Sequence, residues 1–165
     1  KIGDGVFEYA YAFAGTDDLN DGIQDLQIAF GGGNQFQTAL LNANNINKNY
    51  ENFEVTFVGH SLGGGLSAAS SLSTGRSSIN FNPAGISPKM MQRLGLNTSN
   101  SSLINNYCTA NDPLTAIQLA MKSAKMVPLG VSQSLGFGGH SINYCVGNSN
   151  PFSYTPPYRL NPVEF

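Results

Sequence analysis

The sequence predicts an α/β fold with a mostly parallel central sheet flanked by helices. Three observations carry that expectation. Short β-favouring apolar runs alternate with runs of helical period, the pattern of strands joined by crossover helices. The stretch Phe57-Val58-Gly59-His60-Ser61-Leu62-Gly63-Gly64-Gly65 sets a glycine-rich turn between an apolar strand and a small-residue helix. The length, 165 residues, suits one domain spanning 1–165 that buries about two-thirds of its unfolded surface.

Taken in order, Glu8 to Phe13 reads as a strand, followed by a polar turn. Ile23, Leu26 and Phe30 recur at helical spacing, so Gly22 to Phe30 reads as an amphipathic segment that Gly31-Gly32-Gly33 ends. A longer helix is expected from about Gln35 to Tyr50, burying Phe36, Leu40 and Ile46. Phe53, Val55, Phe57 and Val58 form the next strand, and Leu62 to Ser73 the helix after it. Ser78 to Phe81 is a strand, Pro88 to Leu94 a short helix, and Leu103 to Cys108 a strand. A helix should run from Pro113 to about Lys125, and a short strand is expected near Asn143 to Val146. The tail, 148–165, is rich in Pro, Asn and Tyr and reads as irregular. No internal repeat is visible.

Gly59-His60-Ser61-Leu62-Gly63 is a G-x-S-x-G pattern in the setting that gives it meaning, directly after a strand and before a helix. A sharp turn there presents a serine hydroxyl at the top of a sheet. The glycines answer strain in the turn and the close passage of neighbouring backbone. A phosphate-binding loop is the alternative, but the Lys-Ser/Thr pair of a P-loop is missing.

A serine hydroxyl needs a base, normally an imidazole oriented by a carboxylate. The chain has 2 histidines. His60 adjoins Ser61, so its side chain should point elsewhere and serve packing or hydrogen bonding under the turn. That leaves His140, in the small-residue loop Gly136-Phe137-Gly138-Gly139-His140-Ser141. Between Leu62 and Gly139 the one acidic residue is Asp112, which fits the order nucleophile, acid, histidine. Asn111-Asp112-Pro113 is also a helix start, with Asp112 as N-cap, and one carboxylate has atoms enough for both tasks. An oxyanion hole needs preorganised N–H groups: Leu62, after the nucleophile, is one source, and Thr16, closing Tyr9-Ala10-Tyr11-Ala12-Phe13-Ala14-Gly15-Thr16, is the second.

Together these motifs resemble the class 3 (fungal-type) lipase family of α/β-hydrolases. The segments are Ala12-Phe13-Ala14-Gly15-Thr16 with Asp17-Asp18-Leu19, Val58-Gly59-His60-Ser61-Leu62-Gly63-Gly64, Phe81-Asn82-Pro83-Ala84-Gly85, and Asn111-Asp112-Pro113 with a later His140. The resemblance implies a compact hydrolase sheet trimmed at its amino end, a Ser61–Asp112–His140 triad, and an oxyanion hole from Thr16 and Leu62. Ala14 stands where the family commonly has arginine, and no tryptophan follows Asp21-Gly22.

The implied function is a serine esterase or lipase acting on carboxylic esters, with lipid or small ester substrates, a membrane surface among their sources, and no cofactor or metal. No Cys/His cluster has metal-ligand spacing. Phe30 with its glycines, and Leu129 to Phe137, are candidates for an acyl groove or lid. A net charge of −2 gives no attraction to nucleic acid. The chain opens at Lys1, without methionine or an apolar run long enough to span a bilayer, which is the expectation for a processed product or an excised domain. A secreted or exported location is the expectation, and one version, if the chain is the terminal domain of a longer exported protein, is a secreted antibacterial effector held in check by an immunity protein. Two other readings stand: a non-catalytic binding module on the same fold, and an acyltransferase using the same residues.

Cys108 precedes the Asp112 loop's turn and Cys145 follows the His140 loop. A disulfide between them would tie acid and base loops together and imply an oxidising compartment. Two buried free thiols are the alternative.

Overall fold

The computed structural model describes residues 8–15, 33–120 and 128–145. Among these, five strands form one sheet: β1 (Glu8–Phe13), β2 (Glu54–His60), β3 (Ser78–Phe81), β4 (Ile104–Cys108) and β5 (Val131–Ser134). Their spatial order is β1-β2-β3-β4-β5 and every pair is parallel. The helices are α1 (Gly33–Asn49), α2 (Leu62–Thr74), α3 (Pro88–Leu94), α4 (Pro113–Ala120) and α5 (Ile142–Cys145), with a 3-10 turn at Ser101–Leu103. The expected α/β class and parallel sheet are therefore present.

Parallel neighbours require crossover connections, which α1, α2 and α3 help provide. The pairs Phe13↔Gly59, His60↔Phe81, Phe81↔Tyr107 and Cys108↔Ser134 bring the carboxyl ends of all five strands to one edge of the sheet. Loops leaving that edge are where open α/β sheets place ligands.

α2 is buried from Leu62 to Leu72, and its composition explains how. Three glycines, two alanines and several serines leave little bulk, so the helix lies close against the sheet. Leu62, Leu66, Ala68, Ala69 and Leu72 join Phe36 and Ala39 of α1, Ile86, Met90 and Ile104 in one apolar cluster. Tyr11, Phe13 and Ile46 pack against a smaller cluster of Ala43, Val55 and Phe57. α3 starts as its sequence says: Ser87 accepts from the Met90 N–H, Pro88 follows, and Gly95 closes the helix with φ of 66°.

Two elements differ from expectation. The short strand expected at Asn143 to Val146 is instead the helical turn α5, where the Tyr144 N–H donates to the Ser141 carbonyl at 3.1 Å and Ser141 Oγ accepts from the Asn143 N–H at 3.3 Å. Local capping outweighs the strand preference of Ile142 and Tyr144. The last strand comes earlier, as β5, inside the Leu129–Phe137 segment assigned to a groove or lid. The expected helix 22–30, the end of the Pro113 helix beyond Ala120, and the tail 148–165 lie outside the described residues.

Candidate active site

Ser61 stands between β2 and α2 with φ 57° and ψ −126°. A non-glycine residue in such a conformation carries about 1–3 kcal/mol of strain and persists only where its surroundings impose it. Here they do. The Ser61 N–H donates to the Phe81 carbonyl at 3.1 Å, and its own carbonyl accepts from Gly64, Gly65 and Ala84 at 3.0, 3.3 and 2.9 Å. A Cβ at Gly59 would overlap the Gly63 backbone, and one at Gly63 would overlap the Phe13 carbonyl, so strand, turn and helix meet with no room for side chains. The pattern read in the sequence is a tight strand–turn–helix with Ser61 at its sharpest point, the geometry a nucleophile elbow requires.

Asp112 follows β4 and is fully buried. Its two oxygens are divided between tasks. Oδ1 lies 2.5 Å from His140 Nδ1. Oδ2 accepts from the Thr115 N–H at 2.7 Å and from the Thr115 hydroxyl at 2.5 Å, capping α4. The helix-capping reading of Asp112 therefore holds, and the same carboxylate also reaches the His140 ring. Burial pushes its pKa up, but the bonds from His140 and Thr115, with the attraction of His140, outweigh that and hold the carboxyl below its ordinary value. With Asp112 an acceptor, the neutral His140 carries its proton on Nδ1 and leaves Nε2 free to act as a base.

The His140 side chain keeps 12% of its exposure, whereas its carboxylate partner keeps none. Among the described residues, His140 Nε2 and Ser61 Oγ are both buried without a hydrogen-bond partner. These are the two atoms that a proton transfer from hydroxyl to imidazole would join.

His60 behaves as its position predicts: Nε2 donates to the His140 main-chain oxygen at 2.6 Å rather than serving the Ser61 hydroxyl. Leu62 is the first residue of α2 and is buried, so its N–H is one of the unpaired donors of a helix start. Thr16, the other expected oxyanion donor, lies outside the described residues.

Sequence reasoning missed Asn82, Thr109 and Gln118. Asn82 is fully buried with φ of 41°, and its amide bridges Thr109 to the carbonyls of Gly139 and His140. Thr109 Oγ1 donates to the Gly139 carbonyl at 2.9 Å. Gln118 Nε2 donates to the Pro83 carbonyl at 3.1 Å, and its Oε1 accepts from the Gly85 N–H.

The expected disulfide is corrected: Cys108 and Cys145 are free thiols. Cys145 Sγ is turned toward the Asn82 amide at 3.5 Å. Burial, reinforced by the nearby Asp112 charge, pushes both thiols up to about 11. They are protonated at neutral pH and their chemistry is that of packing atoms.

A cavity of about 380 Å³ lies between β4, β5 and α4, lined by Cys108, Thr115, Gln118 and Ser132 among others. None of Ser61, Asp112 and His140 is among its lining residues. Among the described residues no group of three or more His, Cys, Asp or Glu is placed to hold a metal ion, and no helix is long and apolar enough to cross a membrane.

Comparison with known proteins adds what geometry alone does not. Residues 2–151 match the family model of the Tle-like phospholipase domain. The extracellular phospholipase A1 of Serratia liquefaciens is 30% identical over 135 residues, which is 78% of this chain and 41% of that protein. The chain thus spans less than half the length of the relative. The class 3 resemblance is narrowed accordingly: a lipase or phospholipase family is supported, but not the fungal-type class in particular. By the match over nearly its whole length, this chain belongs to the Tle-like phospholipase domain family.

Proposed function

We propose that this chain hydrolyses carboxylic esters of phospholipids through a Ser61–His140–Asp112 triad and an acyl-enzyme. The observation that carries the reading is the contact of His140 Nδ1 with buried Asp112 Oδ1 at 2.5 Å, while His140 Nε2 remains unpartnered. In this mechanism Ser61 Oγ attacks the acyl carbonyl as His140 Nε2 takes its proton. Asp112 holds the imidazole in the correct tautomer and stabilises the imidazolium. The Leu62 N–H, with Thr16 as second donor, receives the charge that develops on the carbonyl oxygen. His140 then hands the proton to the departing lysophospholipid oxygen, and water, activated by the same imidazole, releases the fatty acid from Ser61.

The name of the Serratia relative, an extracellular phospholipase A1, supports the sn-1 ester as substrate and an exported location for this chain. Transfer of the acyl group to an acceptor other than water uses the same residues, and no observation favours it.

The deciding experiment is fluorophosphonate labelling followed by peptide mapping, alongside turnover of phosphatidylcholine in mixed micelles. Wild type should be labelled on Ser61. Ser61→Ala and His140→Ala should lose about 10³–10⁶-fold in turnover. Label on another residue, or turnover undiminished in Ser61→Ala, rejects the mechanism.

A further inference from the structure

The loop leaving β3 touches all three segments assigned to catalysis. Its first residue, Asn82, donates its N–H to the Tyr107 carbonyl of β4 at 2.9 Å. The side-chain oxygen accepts from the Thr109 N–H at 2.8 Å and the Thr109 hydroxyl at 3.4 Å, at the start of the loop that leads to Asp112. The side-chain nitrogen donates to the carbonyls of Gly139 and His140, each at 3.3 Å, and faces Cys145 Sγ at 3.5 Å. Two residues on, the Ala84 N–H donates to the Ser61 carbonyl at 2.9 Å. Between them, the Pro83 carbonyl accepts from Gln118 of α4, the helix that Asp112 caps.

From this convergence we infer that Asn82 is a positioning residue that fixes the histidine loop against the acid loop and the elbow. The inference rests on the triad mechanism proposed above. The chemistry at position 82 is specific. A primary amide offers an acceptor and donors at one planar tip, so a single buried side chain answers the Thr109 N–H and the carbonyls of the histidine loop together. Aspartate has the same shape and accepts equally well, but when ionised it presents only acceptors and would face those carbonyls oxygen to oxygen. Asparagine also tolerates the left-handed backbone required here, with φ of 41°. The His140 carbonyl receives two donors, the Asn82 amide and His60 Nε2, from opposite partners. Fixing that carbonyl fixes the main chain from which the imidazole projects. An error of about 1 Å there costs on the order of 100-fold in rate.

The test uses Asn82→Asp and Asn82→Gly. Asn82→Asp keeps the shape and the bond from Thr109 while losing the donor. Asn82→Gly keeps the backbone conformation while losing the whole amide. Fluorophosphonate labelling rates at Ser61 and the kcat and KM for p-nitrophenyl butyrate are measured for each, with circular dichroism to verify folding. A fall of about 10–100-fold in kcat and in labelling rate is expected, with KM within twofold of wild type. For Asn82→Asp the deficit relative to wild type should shrink as pH falls, because a protonated carboxyl regains a donor; His60, His140 and Cys145 around this site, and Asp112 beyond His140, are the same in both proteins, so the ratio isolates position 82. Equal labelling rates in wild type and folded Asn82→Asp overturn the inference, as does a deficit wholly in KM. If neither variant folds, Thr109→Val carries the test, since it severs the other side-chain link to Gly139; an unchanged kcat there is equally decisive. A wild-type protein that takes no label at Ser61 tells instead against the triad.

Discussion

His60 and His140 lie ring beside ring, centroids 4.8 Å apart and tilted by 46°, and His60 Nε2 reaches the main-chain oxygen of its neighbour at 2.6 Å. An oxygen only accepts, so the proton of neutral His60 resides on Nε2. Burial lowers the pKa of His60, the bond to His140 raises it, charge on His140 lowers it, and Asp112 raises it again; the net direction is down. Folded His60 therefore resists a proton that the unfolded chain accepts near pH 6.5. By linkage its contribution is complete above that pH and is lost as pH falls through the lowered value. His60→Gln removes this penalty while keeping an amide donor. Denaturant titrations at pH 7.5, 6 and 5 should show wild type losing stability more steeply than the variant, and parallel curves would refute the assignment.

Asp112 works in the same direction at a lower pH. Its carboxyl is held below the ordinary value, so its stabilisation is present above the unfolded pKa and disappears as pH drops through the folded one. Asp112→Asn should lack that acid-side loss, so its stability curve should begin to approach wild type near about pH 4 and meet it only below the lowered folded value. Turnover should fall by about 10³–10⁴-fold, because an amide cannot hold His140 in the same tautomer. An acid limb identical in both proteins contradicts this account.

The strain at Ser61 predicts a gain from losing the side chain. With φ at 57°, replacing serine by glycine removes the steric penalty of a Cβ in that region. Ser61→Gly should be inactive and yet more stable than Ser61→Ala by about 1 kcal/mol in urea unfolding. A Ser61→Gly protein less stable than Ser61→Ala would mean the backbone there is relaxed.

Both cysteines should be countable as thiols. Intact mass after alkylation in denaturant without reductant should show two adducts, on Cys108 and Cys145. In the folded protein, pKa values of about 11 leave about one thiolate in a thousand at pH 8, so iodoacetamide should react very slowly. A chain that takes no adduct until reduced would restore the disulfide.

What the sequence disclosed was whatever local chemistry decides. Glu8–Phe13, Ser78–Phe81 and Pro88–Leu94 fall where periodicity, capping and glycine stops put them. The Asp112–His140 contact was legible because the chain has 2 histidines and a single acid between Ser61 and His140, which reduced the choice to one pair. β5 was hidden because Val131-Ser132-Gln133-Ser134 has one β-branched residue; its state is set by pairing with Asn105 to Cys108, not by its own pattern. Asn82 was hidden for a related reason. Its partners, Thr109, Gly139 and His140, are far along the chain, and an asparagine before proline reads locally as a turn.

The sequential strand order puts the members of the proposed triad on unequal footings. Ser61 hangs from β2, with a strand on either side, whereas His140 follows β5, a four-residue terminal strand held by β4 alone among the described residues. Fraying of that rim carries the imidazole away while leaving the serine seated, so warming should silence the enzyme before its helices melt. Activity lost this way should return on cooling as the rim re-pairs, which turnover measured before and after a heating step would check.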